Sequence, residues 1–319
     1  MASFCWSVKF SCLIHRHLLL IGFALTMNID AFEDRFREYA LLMRLHRPIG
    51  IYLLLWPTLW ALWLAGNGQP PASTVLVFVL GVVLMRSAGC VINDIADRDF
   101  DPHVARTRDR PLAAGRVTLR EAAGVTAALI LLAFALALTQ NALTIQLAFI
   151  GLALTISYPF MKRLHSLPQI HLGAAFGWAI PMAYAAVSNE LPLIAWLLFL
   201  ANVLWSVIYD TEYAMVDRKD DLKIGVKSTA ILFGARDKQI IGYLQAALLT
   251  LLAGIGLLSG RGGVYYLGLL TAGWLALYQQ YLIRDRAPEE CFKAFLNNNA
   301  FGLAIFCGLL VDFLPAAAT

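Results

Sequence analysis

Nine long apolar runs dominate the sequence. Each is bounded by charged residues or by Gly, Pro and Asn, and they cover about residues 48–66, 73–92, 120–138, 143–160, 168–187, 191–209, 239–258, 264–283 and 295–314. A helix needs about 20 mainly apolar residues to cross the hydrocarbon core of a bilayer. The runs therefore predict an all-α, polytopic membrane protein with nine transmembrane helices.

The overall composition excludes several other classes of protein. Hydrophobic residues make up 60% of the chain and charged residues only 14%, whereas about 25% is usual for charged residues in soluble domains. The five cysteines are scattered, without spacing typical of a metal site, a redox pair or a disulfide framework. A disordered chain, a β-barrel and a secreted disulfide scaffold are all inconsistent with these features.

The basic residues predict how the chain is oriented in the membrane. Apart from residues 1–26 and from Arg86 within the second run, 21 Lys and Arg side chains flank one side of the predicted bundle, and Arg261 alone flanks the other. Loops rich in Lys and Arg remain in the cytoplasm. We therefore expect the segment before the first run to be cytoplasmic and the C-terminal tail to lie outside.

The chain before the first run divides into two parts. Residues 1–26 weakly resemble a signal peptide without a convincing cleavage site, and we expect an uncertain N-terminal extension with Met27 as the natural start. Residues 27–47 are expected to form an amphipathic segment along the inner interface, with Phe32, Phe36, Tyr39 and Leu42 at helical spacing. Residues 48–319 then form the nine-helix domain.

Two acidic segments follow the second and sixth runs. The first reads NDIADRDFD from Asn93, and the second reads DTEYAMVDRKDD from Asp210. Each contains an Asp pair spaced by four, Asp97/Asp101 and Asp217/Asp221, and Asn93 extends the first series by one more step of four. On a continuing helix, residues four apart lie on one face.

Four predicted spans separate the acidic segments, so both are expected on the cytoplasmic side. Two like charges 4 Å apart repel by about 4 kcal/mol at an effective dielectric constant near 20, so converging carboxylates need cations between them. Carboxylate oxygens without His or Cys indicate Mg²⁺, which also binds phosphate oxygens, and a diphosphate is the natural ligand. The alternative is two solvated acidic loops balanced by their own basic residues.

Several basic residues are placed where a diphosphate would need them. Arg86 lies within the second run, seven residues before Asn93, and an intramembrane Arg marks an interior cavity unless it only pairs with an Asp. Tyr158 and Lys162 are spaced by four at the inner end of the fourth run, although a Lys there can simply reach the interface. Further phosphate contacts are expected from the basic run Arg106 to Pro111, which includes Arg110, and from Lys223 and Lys227.

Two runs contain residues for which packing is the simpler interpretation. In the fifth run, Gly173 and Gly177 have the spacing of close helix contacts, and His171 is expected to be a hydrogen-bonded interior residue rather than a catalyst. In the first run, three tryptophans recur at helical spacing and are expected to pack, or to line an interface or cavity: Trp56, Trp60 and Trp63.

The motifs NDIADRDFD, YPFMK and YDTEYAMVDRKDD, with these numbers of runs between them, resemble the UbiA superfamily of intramembrane aromatic prenyltransferases. The likeness runs from about Arg44 to the C-terminus. Three longer segments are similar to the bacterial branch that prenylates 4-hydroxybenzoate in ubiquinone biosynthesis. The resemblance implies nine helices around a central cavity open to lipid, a cytoplasmic cap formed by the acidic segments, and a location in the bacterial inner membrane.

The resemblance also implies roles for individual residues. The Mg²⁺-binding positions are Asn93, Asp97, Asp101, Asp217 and Asp221, and the four aspartates together with Arg86 are expected to carry the reaction. Tyr158 and Lys162 match diphosphate-contacting positions. Arg44 and Arg47 are candidates for binding the acceptor carboxylate, or are interfacial anchors. Asp94, Asp210 or the released diphosphate would accept the ring proton, and the sequence does not choose among them.

The expected activity is transfer of a polyprenyl group from polyprenyl diphosphate to the ring carbon of 4-hydroxybenzoate ortho to its hydroxyl. An apolar cavity would protect the allylic cation from water while the tail extends into the bilayer. Two alternatives remain open. The same chemistry on a naphthoate, homogentisate, haem or glycerol-phosphate lipid acceptor is one, and a cation transporter is the other, although transporters usually place acids near mid-membrane.

Overall fold

The computed structural model describes residues 33–103, 107–225 and 227–314. The expected extension over residues 1–26 lies outside the described residues. Within the described ranges the regular structure is helical throughout, and three turns of 3₁₀ helix occur at Asp101–His103, Gly234–Arg236 and Ile283–Asp285. The all-α prediction is therefore confirmed for the described part of the chain.

The helices follow one another along the chain with short connections. Their bounds are α1 (residues 33–42), α2 (Ile49–Ala65), α3 (Ala72–Asp97), α4 (Leu119–Ala137), α5 (Ala142–Leu164), α6 (Pro168–Gly177), α7 (Ala179–Ser188), α8 (Leu193–Ile224), α9 (Thr229–Phe233), α10 (Asp237–Leu258), α11 (Gly263–Leu282) and α12 (Pro288–Asp312).

Seven helical segments in the described residues are long and apolar enough to cross a membrane. They are α3, α4, α5, the α6–α7 pair, α8, the α9–α10 pair and α12. Helix α2 is apolar but has only 17 residues, and α11 is not among the seven. The chain is thus a multi-pass membrane protein, and the number of nine spans stays a prediction.

Contacts between helices close the bundle into a ring. Going around it, α2 contacts α3, and contacts continue through α4, α5, α6, α8, α10, α11 and α12 back to α2. Helix α7 lies against α2 and α5, and α12 also lies against α8. This arrangement encloses a space bordered mainly by α2, α3, α4, α5 and α7.

The fifth apolar run is not one continuous helix, as the sequence had suggested, because it breaks at Trp178 between α6 and α7. Pro181 has no N–H to donate to the carbonyl of Gly177, and its ring would clash with that carbonyl. Trp178 itself donates its indole N–H to the Leu147 carbonyl at 2.8 Å. The break therefore turns this indole toward α5.

The prediction of close packing at Gly173 and Gly177 is confirmed. A Cβ atom at Gly173 would lie 2.9 Å from the Cα of Val203, and one at Gly177 would lie 2.6 Å from the side-chain nitrogen of Asn202. Asn202 also donates a hydrogen bond to the Gly173 carbonyl at 3.1 Å. Both glycines thus allow α6 to approach the backbone of α8.

The two Asp pairs differ in their local structure. Helix α8 continues well past the end of the sixth apolar run, so Asp217 and Asp221 lie one helical turn apart, as the spacing suggested. Helix α3 ends at Asp97, and Asp101 lies in a 3₁₀ turn, so that pair does not share a helical face. Asn93 and Asp97 do share one, and the Asn93 amide donates to Asp97 at 3.2 Å.

Helix α1 packs on the protein itself. Leu42 is fully buried in a small cluster with Val91 and Val117, and the Tyr39 hydroxyl donates to Glu121 at 3.0 Å. Phe36, in contrast, is exposed. The apolar face of the amphipathic segment is therefore divided between protein contacts and the outside of the bundle, and its interfacial role stays a prediction.

The packing interpretation of the tryptophans and of His171 agrees with the structure. Trp60 is buried and stacks on Trp205 with ring centroids 5.4 Å apart. Trp56 donates to Asn299 at 2.9 Å, and Trp63 packs edge-on against Phe306. His171 Nε2 contacts the Ser157 hydroxyl at 2.9 Å.

Replacing Gly173 with Ala should lower the melting temperature of the detergent-solubilised protein. The added methyl group would overlap the α8 backbone, and overpacking of this kind costs about 1–3 kcal/mol. Gly254→Ala is the control, because nothing lies within 4 Å of a Cβ at that α10 position. Equal melting temperatures for the two variants would contradict close α6–α8 packing.

Candidate active site

One cavity of about 790 Å³ lies inside the ring. Its walls are apolar over most of their length, with side chains such as Leu53, Phe78 and Met182, and it extends to Gln140 and Thr144, where α4 ends and α5 begins. At the opposite end the lining becomes charged. The cavity therefore has a polar head and a long apolar body.

The two acidic segments meet at the polar head of this cavity. The first contributes Asn93, Asp94, Asp97 and Asp101, and the second contributes Asp210 and Asp221. Asp217 lies one turn before Asp221 on α8 and is not among the lining residues. Segments separated by more than 100 residues in the sequence thus reach one end of the bundle.

Asp97 is bound by basic residues from α5. Lys162 forms an ion pair with one of its oxygens, and Arg163 lies 3.5 Å from the other. The side chain of Asp97 is nearly fully buried. Lys162 therefore points into the site instead of reaching only toward the interface, and it links the ends of α3 and α5.

A second group of ion pairs joins the turn after α1 to the loop after α3. Asp94 is 2% exposed and accepts hydrogen bonds from Arg44 and, at 3.0 Å, from Arg110. Arg110 also binds Asp101 at 2.8 Å. Burial raises the pKa of the Asp101 carboxyl above its ordinary value, and the adjacent Arg110 opposes that rise. Arg44, Asp94, Arg110 and Asp101 thus form a partly buried row of alternating charges.

Arg86 lies deeper in the cavity, on α3. Its guanidinium donates to the Cys90 sulfur at 2.8 Å and lies 5.6 Å from the centre of the Phe176 ring. Within the described part of the chain no carboxylate lies at ion-pair distance from it, although Asp210 is close enough to interact with its charge. A Cβ at Gly50 would lie 2.6 Å from Arg86 Cζ, so this glycine provides the space that the guanidinium occupies.

Three further predicted residues line the cavity, whereas Lys223 and Lys227 do not. Arg47, Tyr158 and Asp210 are part of its wall. Lys227, expected to contact phosphate, instead donates its ammonium group to the Leu164 carbonyl at 3.3 Å, at the end of α5. The structure therefore places Lys227 outside the cavity, where it holds the chain after α8 against α5.

The sequence interpretation missed some residues of the site. Arg163 contacts Asp97, donates to the Ala96 carbonyl and lies 4.9 Å from the Phe100 ring centre. It had been attributed only to the orientation of the chain. Its position next to Lys162, at the end of the run that carries Tyr158, was the available signal. Aromatic residues from α8 and α12 also line the head: Tyr209, Tyr213, Phe292 and Phe295.

The donor set of the acidic segments fits a hard divalent cation. The two segments contain Asp, Glu and Asn but no His or Cys, so they offer carboxylate and amide oxygens to a metal. Mg²⁺ prefers oxygen ligands of this kind. No group of three or more Asp, Glu, His or Cys in the described ranges is already arranged around an ion position. In this structure basic side chains neutralise Asp94, Asp97 and Asp101 instead.

Comparison with known proteins gives consistent results. The profile of the UbiA prenyltransferase family matches residues 54–305. A protein of Nitrosococcus oceani named 4-hydroxybenzoate octaprenyltransferase is 61% identical over 284 residues, which cover 89% of this chain and 100% of that protein. A protein of the same name from Alkalilimnicola ehrlichii is 59% identical over 90% of this chain and 98% of its own length.

Solved structures share the fold. The apo structure of a UbiA homolog from Aeropyrum pernix matches with a TM-score of 0.74 and 29% identity, over 83% of this chain and 98% of that one. A UbiA homolog from Archaeoglobus fulgidus, solved with GPP and Mg²⁺ bound, matches with a TM-score of 0.66 and 20% identity, over 85% of this chain and 99% of that one.

Replacing Asp94 with Asn should destabilise the fold, because Arg44 and Arg110 would lose the charge they share. Hydrogen bonds to charged groups contribute about 1.5–3 kcal/mol each, so a clear drop in melting temperature is expected. Asp99→Asn is the control, since the Asp99 side chain is 74% exposed beside Arg98. If both variants melt like the wild type, Asp94 does not hold the two arginines.

Proposed function

The chain belongs to the UbiA prenyltransferase family, and on that basis we propose that it is a 4-hydroxybenzoate polyprenyltransferase. It transfers a polyprenyl group from polyprenyl diphosphate to the ring carbon ortho to the acceptor hydroxyl, and diphosphate leaves, as a step of ubiquinone biosynthesis. The observation that carries the proposal is a cavity with a charged head and an apolar body. Identity near 60% to the curated relatives supports the choice of acceptor.

The shape of the cavity matches the two ends of the donor. A polyprenyl diphosphate has a strongly anionic head and a long hydrocarbon tail, and these ends require opposite surroundings. Basic residues around the head include Arg110, Lys162 and Arg163, with Arg86 deeper in the cavity, whereas the body toward Gln140 is mainly apolar. Burial of the tail is favourable at about 25 cal/mol for each Å² of apolar surface.

We assign a Mg²⁺ site to the acidic segments. The residues that would hold the ion are Asn93, Asp97, Asp101, Asp217 and Asp221. Bound Mg²⁺ would supply positive charge that stabilises the departing diphosphate. The support is the oxygen donor set and the arrival of both segments at one end of the cavity.

The residues of the chain itself contribute to breaking the allylic C–O bond. Arg86 and Lys162 place positive charge where the leaving group becomes more negative, and charge fixed in advance is effective in a water-poor site. Phe176 and other apolar side chains around Arg86 exclude water, which protects the allylic cation from hydrolysis. Tyr158 lies in the same wall and offers a hydroxyl to the diphosphate.

We assign the acceptor carboxylate to the α1–α2 corner of the cavity. Arg44 and Arg47 line it there, and Arg44 is already tied to Asp94. That pairing leaves Asp94 poorly suited to take the ring proton, because its oxygen accepts hydrogen bonds from two guanidinium groups. Asp210, which lines the same head, or the released diphosphate is the better acceptor.

We further propose the placement of the protein in the cell. The protein lies in the bacterial inner membrane with the charged head at the cytoplasmic face, because basic loops remain in the cytoplasm. In this arrangement α2 and α11 complete nine crossings, residues 27–47 follow the inner interface, and residues 48–319 form the catalytic domain after an extension over 1–26. The loop after α3 and the end of α8 form the cytoplasmic cap.

The proposal is tested by assaying membranes that contain the expressed chain. Labelled 4-hydroxybenzoate should be prenylated in the presence of Mg²⁺, whereas chelation with EDTA should abolish the reaction, and naphthoate and homogentisate should react poorly. Asp97→Ala should lower the rate at least about 100-fold, because fixed charge of this kind contributes that much. The exposed Asp99 gives a matched control in Asp99→Ala.

Either of two results would contradict the proposal. The first is preferred prenylation of another acceptor by the wild type. The second is full activity of Asp97→Ala in membranes where immunoblotting shows normal amounts of protein.

A smaller change tests the position of Arg86. Gly50→Ala should lower kcat/KM for the donor about tenfold, since a methyl group there displaces the guanidinium from its place in the cavity. Gly81→Ala is a close control, because Gly81 lines the same cavity but has nothing within 4 Å of its Cβ position. Equal kcat/KM values for the two variants would show that the position of the Arg86 guanidinium does not affect the reaction of the donor.

A further inference from the structure

A buried carboxylate outside the cavity holds two arginines. Asp237, the first residue of α10, is 0% exposed and is not part of the cavity wall. Arg218 of α8 forms an ion pair with one of its oxygens. Arg286 contacts both oxygens, with its Nε at 3.1 and 3.0 Å and an Nη at 2.7 Å. Asp237 thus joins three parts of the chain that are distant in sequence.

The backbone around Asp237 strengthens this junction. The Lys238 N–H donates to Asp237 at 2.7 Å, and Arg286 donates a further bond to the Ala235 carbonyl at 2.8 Å. Arg286 adopts a left-handed backbone conformation with φ of 55°, which few residues other than Gly adopt. This backbone conformation of the loop between α11 and α12 places the Arg286 guanidinium against Asp237.

Arg218 and Arg286 belong to segments that form two different walls of the cavity head. Arg218 directly follows Asp217 and lies three residues before Asp221, in the final turns of α8, residues 210–224, here called the α8 extension. Arg286 precedes α12 by two residues, and the first turns of α12 place Phe292 and Phe295 in the cavity wall. Asp237 lies behind both walls.

The far end of the α8 extension depends on anchors of this kind. Its first turns are held by packing, because Ala214 and Met215 lie in the buried core and Asn298 donates to the buried Glu212 at 2.8 Å, whereas residues 217–223 are at most partly buried. Successive residues of an α-helix turn by 100°, so fixing Arg218 also fixes the directions in which Asp217 and Asp221 point. On the other wall, Tyr213 of the extension packs on Phe295 with ring centroids 4.9 Å apart. Rotation of the extension would therefore disturb both the carboxylates and this aromatic contact.

The arrangement is not the one that stability alone would favour. Replacing a buried ionic cluster by apolar residues is often neutral or stabilising. Here the Nε of Arg218 is also buried without a hydrogen-bond partner among the described residues. We therefore expect the Arg218 guanidinium to fix the orientation of the α8 extension more than it stabilises the fold.

We propose that Asp237 is a positioning residue for the transfer reaction. Through Arg218 it holds the α8 extension in the rotation that directs Asp221 into the cavity head, with Asp217 one turn before it, and through Arg286 it holds the start of α12 against the extension. The inference rests on the proposed function, because the carboxylates it positions are those assigned to the metal and diphosphate.

The test uses the purified full chain and the variant Asp237→Asn, which keeps the shape of the side chain and removes its charge. Amide hydrogen exchange followed by mass spectrometry should increase several-fold in peptides covering 213–225 and 286–295, with α2 and α3 unchanged. Mn²⁺ affinity, measured by electron paramagnetic resonance, should fall about tenfold, as for other residues that orient metal ligands. Asp285→Asn is the control, because Asp285 is 75% exposed beside Arg284.

Two results would overturn the inference. One is unchanged exchange and unchanged Mn²⁺ affinity in Asp237→Asn, and the other is a uniform rise in exchange over the whole chain, which indicates a general loss of stability. If Asp237→Asn does not fold, Arg218→Gln and Arg218→Lys test the same link. The inference then requires local loosening and weaker Mn²⁺ binding in the Gln variant, with partial rescue by Lys.

The same measurements separate this inference from the proposed function. Hydrogen exchange and Mn²⁺ binding need no prenyl acceptor. Failure of the wild type to prenylate 4-hydroxybenzoate would overturn the proposed function alone, and a local response to Asp237→Asn would still support the positioning role.

Discussion

The hydrocarbon core of the bilayer penalises isolated charge, and the architecture of this protein follows from that penalty. Most charged side chains that line the cavity are gathered at one end, and several of them neutralise one another. Asp97 pairs with Lys162 and Arg163, and Asp94 and Asp101 share Arg110. The same gathering creates a strongly polar head beside an apolar space. A substrate with one anionic end and one hydrocarbon end fits that contrast.

Much of this could be predicted from the sequence, because the signals are local. The apolar runs predicted most helices to within a few residues, with three exceptions. Pro181 divides one run, α8 continues through polar residues after its run has ended, and α12 begins at Pro288, seven residues before its run. The packing of Gly173 and Gly177 also followed from spacing alone. The meeting of the acidic segments followed from counting spans.

Residues whose role depends on a distant partner could not be predicted in this way. Lys227 and Arg163 are both basic residues in basic loops, yet one binds the end of α5 and the other enters the site. Nothing in the sequence near Asp237 indicates that it meets Arg218 and Arg286, because those pairings are set by how α8, α10 and α12 pack. The sequence shows where acidic and basic residues occur, but it does not show which of them form ion pairs with one another.

The short length of α2 has a consequence for how the proposed nine-span bundle meets the bilayer. Seventeen residues at 1.5 Å each span about 25 Å, whereas the hydrocarbon layer of a typical membrane is about 30 Å thick. Within α2 only Tyr52 is exposed, and the longer helices α3 and α12 pack against it. The missing length is therefore covered by protein, and the lipid beside this part of the ring does not have to adapt to it.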